Sequence, residues 1–168
     1  MTIFRKAVFE ESGACYGILD MARRKMWSEG SDQWTEGYPA PEDVRLDIEA
    51  GNAYILEYEG KPAAYCAVVF TGEPAYDEIA DGEWLSDLPY VVVHRLAVSP
   101  EVQGHGLAKA VLRHVEDLAI SSGVRSFRID TRHDNAAMLR ILSNLGFTRC
   151  GTVVYDTDKV RIGLEKLL

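Results

Sequence analysis

The sequence predicts an α/β fold, or α+β in schemes that separate the two, and three observations predict it. Residues 90–98, "YVVVHRLAV", form a β-rich run with three consecutive valines. Leu107, Ala108, Val111, Leu112, Val115, Leu118 and Ala119 then recur at three- and four-residue steps, the spacing of a core-facing helix. "VRSFRIDT" follows as a second strand. A strand, a helix and a strand in that order make a parallel, right-handed crossover.

The flanking elements follow from the same patterns. "TIFRKAV" reads as a first strand, and Glu11 to about Met26 carries a helical apolar set that includes Ile18, Leu19, Ala22 and Met26. "SEGSDQWTEGYPAPEDV" is turn-rich. A second helix starts near Pro41 and stops at Gly51, with Val44, Leu46 and Ile48 as its apolar positions. Two β-rich runs flank Glu59-Gly60, which predicts a hairpin over "NAYILEYEGKPAAYCAVVF". A long connection runs from Thr71 to about Pro89, and Ser99-Pro100 ends the valine-rich strand. Gly123 stops the periodic helix, "DNAAMLRILSNLG" predicts a last helix ended by Gly146, and "FTRCGTVVYD" with "KVRIGLEKL" closes the chain as a hairpin. The order is β-α-α-β-β-β-α-β-α-β-β, with no repeat, low-complexity segment or linker.

A chain of 168 residues is most economically one domain, residues 1–168. No apolar run approaches the ~20 residues of a membrane span. "MTIFRKAVFEESG" places an acidic pair where a signal peptide would need a longer apolar core, so the expected location is cytoplasmic. Cys15, Cys66 and Cys150 are odd in number and widely spaced, which fits reduced thiols. No two histidines share metal-ligand spacing, so no metal is expected. With a net charge of -8 the chain lacks the basic stripe of a nucleic-acid binder, since "RKAVF" and "MARRKMW" are only short clusters. Such acidity draws cationic partners such as amines, or else serves solubility.

"HRLAVSPEVQGHGLAKAVL" is the informative stretch. It sets two glycines, Gly104 and Gly106, at the mouth of the periodic helix, where four amides lack partners and the macrodipole is positive. The natural guest is a phosphate. A P-loop would need Gly-Lys-Ser/Thr and a dinucleotide fingerprint three glycines, and neither is here.

"LAVSPEVQGHGLAKAVL" resembles motif A of the GNAT superfamily of N-acyltransferases, through Gln103, Gly106 and Ala108. "DNAAMLRILSNLGF" resembles that superfamily's motif-B helix, with Asn135 at its start and Leu145-Gly146-Phe147 at its end. The element order is also similar, so the resemblance covers nearly the whole chain. It implies a GNAT-like mixed central sheet with splayed parallel central strands and flanking helices. It further implies an acyl-CoA-dependent N-acyltransferase, most economically an acetyltransferase with acetyl-CoA as co-substrate. The pyrophosphate would lie on the turn formed by Gln103, Gly104, His105, Gly106, Leu107, Ala108 and Lys109, with His105 adding charge or nothing. Leu96, Ala97 and Val98 would hold the pantetheine arm and thioester through their backbone. Asn135 would touch pantetheine, its alternative role being a helix cap.

His94 lies two residues before Leu96, so alternation would put both side chains on one face. In some GNAT enzymes a general base sits there, and the alternative is a histidine bonded within the sheet. Many members place a proton-donating tyrosine four residues before the helix-ending glycine, and here that position is Leu142. "RIDTRHDN", Tyr38-Pro39 and "EPAY" resemble a bacterial subgroup without fixing a substrate. Asp130, at a strand end, reads as a partner of Arg128 or Arg132 or as a turn contact, with a substrate contact as the alternative. Trp34, Tyr38, Glu73, Tyr76 and Trp84 are the candidate substrate residues, with local core or a solvated acidic loop as the alternatives. The expected partner is a small-molecule or peptide amine, and a homodimer is left open. A non-catalytic acyl-CoA-binding module, a longer acyl group and an oxygen nucleophile are the rival readings.

Overall fold

The computed structural model of the chain describes residues 1–156 and 158–168. The elements run β1 (Thr2–Lys6), α1 (Ser12–Ser28), α2 (Pro41–Glu49), β2 (Ala53–Tyr58), β3 (Lys61–Val69), β4 (Val91–Val98), α3 (Leu107–Ser121), β5 (Ser126–Thr131), α4 (Ala136–Asn144), β6 (Thr148–Val154) and β7 (Val160–Leu167). This is the order expected from the sequence. The strands form one mixed sheet, β1-β2-β3-β4-β5-β7-β6, flanked by helices. β4 and β5 run parallel, pairing Val91 with Phe127 and Val92 with Arg128. The β1–β2, β2–β3, β5–β7 and β6–β7 ladders are antiparallel.

The four α-helices among the described residues stop the same way. At the end of α4 the Phe147 N–H donates to the Leu142 carbonyl at 3.0 Å and the Gly146 N–H to that of Ser143 at 3.1 Å. Gly146 at φ 90° allows both bonds. The same pair of bonds closes α1 at Gly30, α2 at Gly51 and α3 at Gly123.

The described residues group into two compact units. In the first, Met1–Val68 with His94–His114, α1 turns Cys15, Ile18 and Leu19 onto one face, and these cluster with Ile55, Tyr65 and Val44. The expected core position Leu46 is 50% exposed, and Asp47 is buried in its stead. Helical geometry explains the difference. Residues 44, 47 and 48 share a face at steps of three and four, whereas 46 lies about 200° around from 44.

In the second unit, Val69–Val93 with Val115–Leu168, Glu165 is completely buried and carries the organising charge. Its carboxylate accepts from Leu85 N at 3.0 Å, Ser86 Oγ at 2.6 Å, Ser126 Oγ at 2.8 Å and Arg128 Nε at 3.2 Å. Arg128 stands opposite Glu165 in the β5–β7 register. Its guanidinium lies 4.4 Å and 4.3 Å from the ring centroids of Trp84 and Tyr90, and Nη2 donates to the Ser86 carbonyl at 2.5 Å. The connection 71–89, whose acids read singly as a solvated loop, is thus pinned through Trp84, Leu85 and Ser86 to one buried ion pair of the sheet.

Removing one partner of a buried pair leaves an uncompensated charge and costs about 3–5 kcal/mol. Arg128→Ala should therefore lower stability by about that amount in urea unfolding, with Glu165 stranded. A loss under about 1 kcal/mol would show that the connection is held by other contacts.

Candidate active site

The turn before α3 is built by a short sequence of backbone decisions. Ser99 Oγ accepts from the Glu101 N–H at 3.4 Å and opens a single 3-10 turn over Pro100–Val102. Gly104 and Gly106 then take φ of 85° and 69°, left-handed values that a side chain resists. A Cβ at either position would meet nothing within 4 Å, so the surface over the turn is open. Leu107, 4% exposed, anchors the start of α3 in the core. The amides of Leu107, Ala108 and Lys109 have no acceptor within the helix. Gln103, Gly104, His105 and Gly106 are exposed, while Ala108 and Lys109 are half-buried.

Side chains add positive character to this turn. Lys25, in the last turn of α1, donates to Gln103 Oε1. His105 Nδ1 lies 3.1 Å from the Val102 carbonyl and 3.2 Å from that of Gln103, so this nitrogen carries the hydrogen and donates. The ring rests on Tyr58, with centroids 5.1 Å apart. Open left-handed backbone, helix amides and a nearby ammonium fit an anionic ligand such as the pyrophosphate of acetyl-CoA.

β4 is bent immediately upstream. Arg95 has φ 54° in the middle of the strand. Plain alternation therefore does not relate His94 to Leu96, because a left-handed residue turns the chain between them. His94, Leu96 and Val98 are half-buried, and Ala97 packs with Tyr65 in the core of the first unit. The bend is fastened by a side-chain fork. Arg95 Nε donates to Asp47 Oδ2 at 3.0 Å and Nη2 to Asp47 Oδ1 at 2.5 Å. Nη1 donates to the Tyr38 hydroxyl at 3.0 Å, and the Tyr65 hydroxyl donates to Asp47 Oδ2 at 2.5 Å. Burial and the Asp47 charge push the Tyr65 phenol well above its usual range, so it stays a donor.

Tyr38 sits in a segment held by Arg23, whose Nη1 donates to the carbonyls of Thr35 at 3.4 Å, Glu36 at 3.3 Å and Pro39 at 2.8 Å. The Tyr38-Pro39 peptide is cis. Trp34, read from the sequence as either a substrate wall or core, is 6% exposed and belongs to the core cluster. Tyr38 stays 39% exposed.

In the second unit, Asn135 caps α4. Its Oδ1 accepts from Met138 N at 3.2 Å, and its Nδ2 donates to Thr131 Oγ1 at 3.1 Å. Leu142 is fully buried, so that position offers no proton. Tyr76 is 1% exposed and its hydroxyl donates to Asp130 Oδ2 at 2.6 Å, as does that of Tyr155 at 2.5 Å. Asp130 thus takes two phenols, where the sequence pointed to an arginine. Arg128 is committed to Glu165, and Arg132 pairs with Asp134 at 2.9 Å. Burial and the Asp130 carboxylate hold both phenols protonated. Trp84 donates from Nε1 to the Tyr76 carbonyl at 2.8 Å, and Glu73 Oε1 accepts from the Ala75 N–H at 3.1 Å. Among the described residues no helix is long and apolar enough to cross a membrane, and no group of three or more His, Cys, Asp or Glu is placed to hold a metal.

Comparison with known proteins places this geometry. The model of the acetyltransferase (GNAT) family matches residues 19–147. A GNAT-family acetyltransferase of Streptococcus agalactiae, solved by crystallography, is 35% identical. The match covers 99% of this chain and 95% of that one, with a TM-score of 0.89. The uncharacterized N-acetyltransferase YesJ of Bacillus subtilis is 26% identical over 149 residues, which is 86% of this chain and 81% of that protein. The PaiA N-acetyltransferase of Thermoplasma acidophilum, solved in complex with coenzyme A, shares the fold at 13% identity. Its TM-score is 0.73, over 100% of this chain and 99% of that one. With the family's model covering most of its length and a solved relative following it almost end to end, the chain belongs to the GNAT family of acetyltransferases.

Proposed function

We propose that the protein moves an acetyl group from acetyl-CoA to a primary amine by direct attack, with His94 or a water that it orders as general base. The observation that carries this reading is the open left-handed turn of Gly104 and Gly106 at the start of α3, directly after β4. Acetyl-CoA supplies an activated thioester carbonyl when bound. The amides from Gly104 to Lys109 hold its pyrophosphate, and the Leu96–Val98 backbone runs alongside the pantetheine arm. Asn135 has one amide hydrogen beyond its bond to Thr131, which leaves it able to donate to pantetheine, the contact that the resemblance implies.

An alkyl ammonium near pKa ~10 is protonated at neutral pH, so the nucleophile must be made at the site. His94 accepts that proton. Leu142 provides no acid, so as the C–N bond forms and the C–S bond breaks the CoA sulfur leaves as thiolate, whose conjugate thiol has a reference pKa near ~8.5. Tyr38, Glu73 and Trp84 are the acceptor-side candidates. Tyr76, buried and bonded to Asp130, supports Trp84 through its carbonyl.

Gly106→Glu should weaken acetyl-CoA binding by at least about tenfold, since it adds bulk, a left-handed penalty of ~1–2 kcal/mol and a like charge at the anion site. Calorimetry on the folded variant checks this, and an unchanged affinity would put the pyrophosphate elsewhere. His94→Ala should lower kcat by about 10²–10⁴ while leaving acetyl-CoA affinity within about twofold. The acidic limb of the kcat/KM profile should disappear with it. A variant with full kcat and an unchanged profile would return His94 to a structural role.

A further inference from the structure

We propose that Arg95 is a positioning residue that presents His94 and the Leu96–Val98 backbone for the transfer step, acting through its fork on Asp47 and its bond to Tyr38. The proposal rests on the reading of β4 as the strand beside the thioester. Its starting observation is local. A residue with a Cβ stands at φ 54° inside a strand, between the candidate base and the first candidate thioester contact. Such a conformation persists only where the surroundings over-determine it, and it is characteristic of sites where geometry matters for function.

The surroundings here do over-determine it. The Arg95 and Asp47 side chains are 14% and 8% exposed, and both carboxylate oxygens are engaged by the fork. Asp47 reaches the pair from α2 and is held from β3 by Tyr65, which is fully buried. Tyr38 joins through its hydroxyl from a segment that Arg23 fixes. Two separate pieces of chain, α2 and the Tyr38 segment, therefore meet on the side chain of the one left-handed residue of β4, and β3 and Arg23 hold those two in turn. A planar guanidinium suits this, because it satisfies two carboxylate oxygens and a phenol at fixed angles, which a lysine ammonium does not. A fork that served stability alone would not need to sit on the bend. Set on the bend, it determines how the preceding and following residues are turned.

Two substitutions separate the backbone from the side chain. Glycine adopts the left-handed conformation freely, so Arg95→Gly keeps the bend accessible and removes the fork. Arg95→Lys keeps the charge and loses the planar geometry. Acetyl-CoA affinity by calorimetry, kcat by release of free CoA thiol, and the His94 imidazole resonances by NMR are measured on both. The expected result for Arg95→Gly is kcat reduced at least about tenfold and displaced His94 resonances, with acetyl-CoA affinity lowered by a smaller factor than kcat and Arg95→Lys intermediate. Wild-type kcat together with wild-type His94 resonances in Arg95→Gly would overturn the proposal. Should Arg95→Gly fail to fold, Arg95→Lys decides in the same terms, unchanged kcat and resonances counting against it. If the wild type acetylates no amine, the proposed reaction fails separately, and the His94 resonances of the variants still decide the positioning role.

Discussion

The ion pair between Arg95 and Asp47 is the constraint on which the rest of the first unit turns. A left-handed residue with a side chain costs ~1–2 kcal/mol, and burying two charges costs several more. Both costs are offset only because the fork is complete, with each carboxylate oxygen taken and Tyr65 adding a third donor. The strand bend, α2 and the Tyr38 hydroxyl meet at this fork, while Arg23 holds the backbone around Tyr38. The expected alternation of β4 fails at Arg95, the left-handed residue that also carries the fork.

The second constraint is electrostatic. A chain with net charge -8 has to hold a ligand that is itself an anion. The overall field opposes that, and the local one decides it. Unpartnered helix amides with the macrodipole contribute typically 0.3–1 kcal/mol, up to ~2 in partly buried geometry. Glycines at 104 and 106 leave the approach open, and Lys25 brings an ammonium to Gln103 from far away in the sequence. The acidity is instead carried by surface carboxylates and by the connection 71–89, whose fixed shape comes from Arg128 and Glu165.

Local signals were legible and long-range pairs were not. The helix ends at Gly51, Gly123 and Gly146 could be read because each glycine closes a bond pattern that lies within six residues of chain, whereas the same pattern at Gly30 carries α1 two residues past the expected end near Met26. The left-handed turn could be read because two glycines stand next to a helix start in the sequence itself. Asp47 could not be named from its own neighbourhood, although its place three residues after Val44 on an apolar helix face was a signal, since a carboxylate there requires a distant cation. The roles of Arg95, Arg128 and Glu165 depend on partners 37 to 48 residues away. Trp34 and Tyr76 show the same limit. Composition makes an aromatic in a turn-rich segment equally suited to a core or a wall, and only the packing around it distinguishes them.

The central claim is that acetyl-CoA lies on the backbone between β4 and α3. Titrating the isotopically labelled protein with CoA, and following every backbone amide by NMR, tests this without any substitution and without knowledge of the acceptor. The account predicts the largest, saturable displacements at the amides of Gly104 to Lys109, with smaller ones at Leu96 to Val98. Saturable binding that left those amides unmoved while displacing others would contradict it.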